Sequence, residues 1–211
     1  MKKFISLLSG GFDSPVASYL LIKKGLIPIF VSYLTFGNNN NLAKDQIVSI
    51  IQVLKKFLKS PCKLYFVEHN LNLETISREC IRKLTCVLCK RLMIQIAIRI
   101  GKIENTNLIV TGDILGEQAS QTINNLFAYN DLIKDIILLR PLIGWDKLDV
   151  INLNKKIGLY DICAQTLIAC QYFPQYPETN AKSDELKESE DKLKKINLIE
   201  SSLKNIEILE F

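Results

Sequence analysis

Short apolar runs alternate along the chain with longer stretches whose apolar positions recur at helical spacing. The runs at 4–8, 27–32, 64–67, 108–111 and 136–139 read as buried strands. Between them, 15–24 carries Val16, Tyr19, Leu20 and Lys23 at one-face spacing. The stretch 42–58 does the same with Ile47, Ile50, Ile51, Leu54 and Leu58, and 89–102 with Met93, Ile96, Ala97 and Ile100. A further helix is predicted over 147–157. Pro15 suits a first helical turn, where its missing N–H costs nothing. Strands that alternate with helices predict an α/β protein with a parallel sheet and flanking helices, whose ligands sit at the carboxyl ends of the strands. Two stretches stand apart. Residues 36–41 read as a polar, mobile loop, and 182–195 reads as a solvated helix of alternating charge. The expected division is therefore a catalytic domain over 1–181 and a charged C-terminal helical extension over 182–211.

Composition narrows the class without naming a function. With 48% hydrophobic and 23% charged residues over 211 positions, the chain can bury a core without disulfide staples, which excludes wholesale disorder. The net charge of +5 is compatible with a nucleic-acid partner and too small to argue for one. No apolar run approaches bilayer-spanning length, and no charged segment with an apolar stretch behind it precedes the first strand. The expectation is a cytoplasmic protein without membrane attachment. Its six cysteines would then be reduced thiols, open to catalysis or metal binding.

The first candidate site is Ser9-Gly10-Gly11-Phe12-Asp13-Ser14, between the first strand and the first helix. Its glycines allow a tight turn and close backbone approach to a phosphate, and the helix start adds N–H groups and a positive dipole end. Ser9 and Ser14 add hydroxyls. Asp13 fits beside a phosphate if a magnesium ion bridges the two, or if it caps the helix. The string is neither a Walker A loop nor a dinucleotide fingerprint, since the lysine and the third glycine are missing. A plain strand–turn–helix joint is the competing reading.

This loop resembles the PP-loop of the ATP pyrophosphatases, and with Pro15-Val16-Ala17 it resembles more narrowly that of the tRNA 4-thiouridine synthetases. The resemblance implies an adenine nucleotide alpha hydrolase-like, Rossmann-like fold. It also implies a reaction that splits ATP into AMP and pyrophosphate and adenylates an acceptor oxygen. Thr111-Gly112-Asp113-Ile114-Leu115-Gly116-Glu117-Gln118-Ala119-Ser120-Gln121-Thr122 resembles the second signature of the same family, with Glu117 where a glutamine is usual. Arg140-Pro141-Leu142 and Trp145-Asp146-Lys147 resemble a third block. ATP would thus be bound by Ser9, Gly10, Gly11, Phe12, Asp13, Ser14, Thr111, Gly112, Gln121 and Arg140, with Asp13 and Asp113 aiding a magnesium ion. The segment from Tyr33 to Gly37 departs from the family pattern. The family's usual RNA-capturing domains and rhodanese domain do not flank the resemblance, which runs from 9 to about 182. A separate RNA-binding chain, or a homodimer, is therefore expected to help hold tRNA.

Cys86 and Cys89 lie three positions apart at a helix start, close enough to share a metal or form a disulfide. Archaeal-type synthetases carry a similar pair and a later cysteine that hold an iron–sulfur cluster, and Cys170 resembles that third position, with Cys163 as competitor. Three thiolates would leave one iron open to sulfur. A structural zinc using Cys80 or Cys163, and a persulfide- or disulfide-forming pair, are the alternatives. Cys62 and Cys80 read as buried thiols and His69 as a surface residue. The expected function is ATP-dependent thiolation of a tRNA uridine, with Asp13, Cys86, Cys89 and Cys170 catalytic and an external sulfur donor. The alternatives are a PP-loop ligase or sulfurtransferase acting on another RNA position, a sulfur carrier or a small molecule, and a persulfide-dependent mechanism without a cluster.

Overall fold

The computed structural model of the chain describes residues 2–35, 40–165 and 170–211. Most of the expected polar loop, 36–39, lies outside these residues. The elements in order are β1 (Lys3–Leu7), α1 (Asp13–Lys23), β2 (Ile27–Leu34), α2 (Asn40–Lys55), β3 (Lys63–Glu68), α3 (Asn70–Glu79) and α4 (Thr85–Ile103). They continue with β4 (Leu108–Val110), α5 (Ile123–Phe127), β5 (Ile137–Leu139), α6 (Lys147–Ile157), α7 (Tyr160–Cys163), α8 (Ser183–Ile196), α9 (Leu198–Lys204) and β6 (Glu207–Glu210).

One sheet runs through the described residues in the order β5-β4-β1-β2-β3-β6. Every pairing is parallel except β3 with β6, which is antiparallel. The expected parallel sheet is thus found with one antiparallel edge. Because successive side chains of a strand point to opposite faces, each central strand feeds two cores. Phe4, Phe30, Leu64 and Phe66 join the α1, α2 and α6 side with Ile47, Ile50, Ile51 and Leu54. Ile5, Ile29, Val31, Tyr65 and Val67 join the α3, α4, α8 and α9 side with Ile96, Ile100, Leu193 and Leu198. The result is three layers, helix, sheet, helix.

The predicted solvated helix is present as α8, but it is not solvated all round. Leu186, Ser189 and Leu193 are buried, and Arg91 of α4 binds Glu190 at 2.7 and 2.9 Å. The chain then continues into α9 and β6, which the charge pattern does not predict. Helix α3 is likewise absent from the sequence reading, since only Asn72, Leu73 and Ile76 of its ten residues are buried. That is too narrow a stripe to announce a helix.

The sheet reverses direction at β1. From β1 the chain winds outward through β2 and β3, then returns to β4 on the other side. The loops after β1 and β4 therefore diverge from neighbouring strands and leave a crevice between them.

Candidate functional site

The loop after β1 is tied to itself by its serines. Ser9 N–H donates to Ser14 Oγ at 2.8 Å, and the two hydroxyls lie 3.0 Å apart. Below them, Ser18 Oγ donates to the Ser14 carbonyl at 2.8 Å. Helix α1 opens without a side-chain cap, so its first N–H groups stay available to an anion. Phe12 does not turn its ring to the crevice. It packs on Tyr160 with centroids 5.6 Å apart, and its carbonyl accepts from Asn154 Nδ2 at 2.9 Å. Apolar area is better buried there than over a polar loop, so Phe12 anchors the loop from behind.

The loop after β4 closes against this one. Gly112 sits so near the start of α1 that a Cβ on it would lie 2.6 to 2.8 Å from Ser14 N, Ser14 Cα and Asp13 C. Together the two loops line a cavity of about 610 Å³, within the range of small-molecule sites. Ser9, Gly10, Gly11, Asp13, Ser14, Thr111, Gly112, Asp113 and Gln121 all face it, and so do Cys86, Cys89, Cys163 and Cys170. Among the expected site residues, Phe12 and Arg140 are the two that do not line it.

Its charges are paired. Both oxygens of Asp13 accept from Lys147 Nζ, at 2.6 and 2.8 Å. Asp113, 2% exposed, is held by Lys90, by Thr111 Oγ1 at 2.9 Å, and by Gln121 Nε2 and Arg140 Nε at 3.3 Å each. Burial pushes the Asp113 carboxyl upward, yet Lys90 and these donors hold it below the usual carboxylate range. Each carboxylate is thus already paired with a cationic side chain, which a magnesium ion shared by Asp13 and Asp113 would have to displace or share. Three polar atoms stay unpartnered and buried around this arrangement: Gln46 Oε1, Gln121 Oε1 and Arg140 Nη2. Sequence reasoning missed Lys90 and Gln46, and it marked Lys147 only within a resembling block. Each reaches the site from a different element, a distance that no local motif records.

The thiols divide by neighbour. Cys86 and Cys89, in the first two turns of α4, both feel Cys170. Burial, then Cys170, pushes the Cys86 thiol up to about 11, and burial drives Cys89 higher still. Cys163 belongs to the opposite side, where burial and then Asp13 push it up to about 12. Cys170 is brought to the pair by Arg82, whose Nη1 donates to the Tyr172 carbonyl at 2.7 Å. Cys80 is no part of the cavity wall, its sulfur lying 3.7 Å from the Ser189 carbonyl. Among the described residues no three His, Cys, Asp or Glu side chains converge on a single metal position. A mononuclear zinc would draw its sulfurs to about 3.8 Å from one another, whereas a cubane takes each thiolate on a different iron. Cys86, Cys89 and Cys170 all line the cavity, and thiolates are the donors that the latter group takes. His69, expected at the surface, is fully buried. Its ring stands edge-on to Tyr33 at 5.2 Å, with Nε2 3.3 Å from Cys89 Sγ.

Comparisons with known proteins agree on one family. The family model described as "Thiamine biosynthesis protein (ThiI)" matches residues 1–195. A probable tRNA sulfurtransferase of Methanosarcina mazei is 36% identical over 98% of this chain and 51% of its own length. One of Methanocaldococcus jannaschii is also 36% identical, over 91% of this chain and 50% of its own. The chain spans about half the length of these curated relatives. The crystal structure of a 4-thiouridine synthetase–RNA complex with bound ATP superposes with a TM-score of 0.90 at 25% identity, covering 100% of this chain and 55% of that one.

Proposed function

The chain belongs to the Thiamine biosynthesis protein (ThiI) family, and on that premise we propose that it is the ATP-using, sulfur-transferring part of a tRNA 4-thiouridine synthetase. One observation carries the reading. The loops after β1 and β4 meet across a single cavity whose far wall bears Cys86, Cys89 and Cys170.

ATP lies with its phosphates on the Ser9–Ser14 turn, against the open start of α1 and beside Lys147 and Lys90. Close backbone approach at Gly10, Gly11 and Gly112 brings N–H groups to the α-phosphate, where negative charge grows as the bond to pyrophosphate breaks. Uracil O4 of the bound tRNA attacks the α-phosphorus, pyrophosphate leaves, and the base is adenylated. Hydrosulfide then adds to the ring carbon C4, the C4–O4 bond breaks, and AMP leaves carrying the former O4. Asp13 holds the Lys147 ammonium over the loop, and Asp113 holds Lys90 and Arg140, so that the cations are oriented before the nucleotide arrives. An iron–sulfur cluster held by Cys86, Cys89 and Cys170 would supply, when bound, an iron without a protein thiolate at which sulfur is kept for delivery. Cys86 and Cys89 would enter such a site as thiolates, since a metal deprotonates the thiols that ligate it. Capture of the tRNA by a separate RNA-binding chain or by a second copy of this chain belongs to the same proposal.

Iron and acid-labile sulfide content of the chain purified without oxygen tests the sulfur half. Both are expected at cluster stoichiometry, and to be lost in Cys86→Ser, Cys89→Ser and Cys170→Ser alike. Zinc in their place, or no metal in intact chain, would overturn the cluster and leave persulfide chemistry at the same thiols.

A further inference from the structure

The hydrogen bonds behind Cys89 run in a fixed direction. Ser202 Oγ of α9 donates to the Leu198 carbonyl at 2.8 Å, so toward Asn72 it accepts. Asn72 Nδ2 gives one hydrogen to Ser202 Oγ at 2.8 Å and has a second for His69 Nδ1, 3.1 Å away. Nδ1 accepts, which leaves the proton of a neutral imidazole on Nε2. A ring whose Nδ1 accepts carries a single proton, and this one is fully buried. Its Nε2–H then faces Cys89 Sγ at 3.3 Å. The sulfur's own hydrogen, while it is a thiol, is directed at Met93 Sδ at 3.8 Å.

We propose that His69 is a positioning residue for the sulfur chemistry: the Ser202–Asn72 relay locks its Nε2–H onto Cys89 Sγ and fixes that sulfur, as a hydrogen-bond acceptor, at the cavity wall. Such a bond strengthens as the sulfur gains negative charge, whether as a metal ligand or as a thiolate. It also gives α9 a role at the site, since Ser202 orients the amide that orients the ring. The proposal rests on the reading that Cys89 handles sulfur, but the relay itself is tested without any turnover.

The chain has one histidine, so nitrogen NMR of the ¹⁵N-histidine-labelled protein reads this ring alone. At pH 7 the expected spectrum shows a protonated Nε2 and a bare Nδ1, with Cys89→Ala moving the Nε2 signal. A proton on Nδ1, or an Nε2 signal unmoved by Cys89→Ala, would overturn the relay. The second measurement is iodoacetamide alkylation of the reduced chain, resolved by cysteine through peptide mass spectrometry. His69→Leu should slow Cys89 relative to Cys86 by about fivefold, the loss of one hydrogen bond to sulfur. His69→Gln, whose amide N–H reaches as far as the ring nitrogen, should restore most of that rate. Equal rates in all three chains, or equal slowing by Leu and Gln, would overturn the positioning role. A chain that shows the relay but thiolates no tRNA would sink the functional reading and leave the hydrogen-bond relay onto Cys89 standing.

Discussion

Gly10 and Gly112 look alike in the sequence, each a small residue in a loop after a strand, but the space around them differs. A Cβ on Gly112 would meet Ser14 N, Ser14 Cα and Asp13 C, backbone atoms of a helix start that cannot yield without opening the two loops. A Cβ on Gly10 would come within 2.0 Å of Gln46 Oε1, a side-chain atom rather than backbone, and the amide moves only by giving up its bond to the Ile162 carbonyl at 2.8 Å. Gly112→Ala should therefore cost roughly 1–3 kcal/mol of stability and abolish ATP binding, while Gly10→Ala costs less and weakens binding only partly. Thermal melts and an ATP titration of both variants check this, and equal losses would contradict it. The glycines were legible because backbone approach leaves a mark in the sequence. Lys90 and His69 were not, and Lys147 was marked only within a block that resembles the family's third. A lysine at a cavity and a lysine in solvent have the same code letter, and His69 is buried because Asn72 and Cys89 satisfy its nitrogens.

At the scale of elements, α4 is the hub. It carries the Cys86–Cys89 pair, Lys90, and the buried Arg91, which joins Asp131 and Glu190 to the Ala128 carbonyl. Asp131 is 61% exposed, whereas the Glu190 side chain is 16% exposed. Arg91→Ala leaves Glu190 without its charge partner and should cost about 3–5 kcal/mol. Asp131→Asn, on a solvent-screened partner, should cost under about 1 kcal/mol. Urea unfolding of the two variants separates them, and similar costs would show that α8 is not held by this ion pair. Strands β1 to β5 and helices α1, α2, α4 and α6 were readable from their apolar runs and one-face periods, whereas α3 and α5 bury too few side chains to show one. The tail was not readable. Its charges describe a solvated helix unless one knows that Arg91 waits for Glu190, and β6 offers only Ile208 and Leu209 between two glutamates. Its antiparallel pairing with β3 joins segments far apart in sequence, which no local pattern encodes.

For the whole molecule, the sheet's reversal at β1 decides what the chain can do. It sets the phosphate-type loop and the Thr111–Asp113 segment face to face, and α4 with the Cys170 turn closes the same chamber from the other core layer. In the proposed reaction, activation and sulfur transfer would share this one cavity, and an adenylated base would not have to travel between them. This arrangement was partly legible, since the strand–helix alternation put ligands at the strand ends. The cavity's neutralised state, with Asp13 on Lys147 and Asp113 on Lys90 and Arg140, was not, because pairing of charges is a property of the folded whole. The most direct measurement mixes oxygen-free chain with ATP, sulfide and tRNA concentrated enough to make capture non-limiting, then counts AMP and 4-thiouridine. The account predicts AMP only when tRNA is present, matched one for one by 4-thiouridine, and AMP without thiouridine from Cys86→Ser. AMP that forms equally without tRNA, no AMP at all, or undiminished thiolation by Cys86→Ser would contradict it.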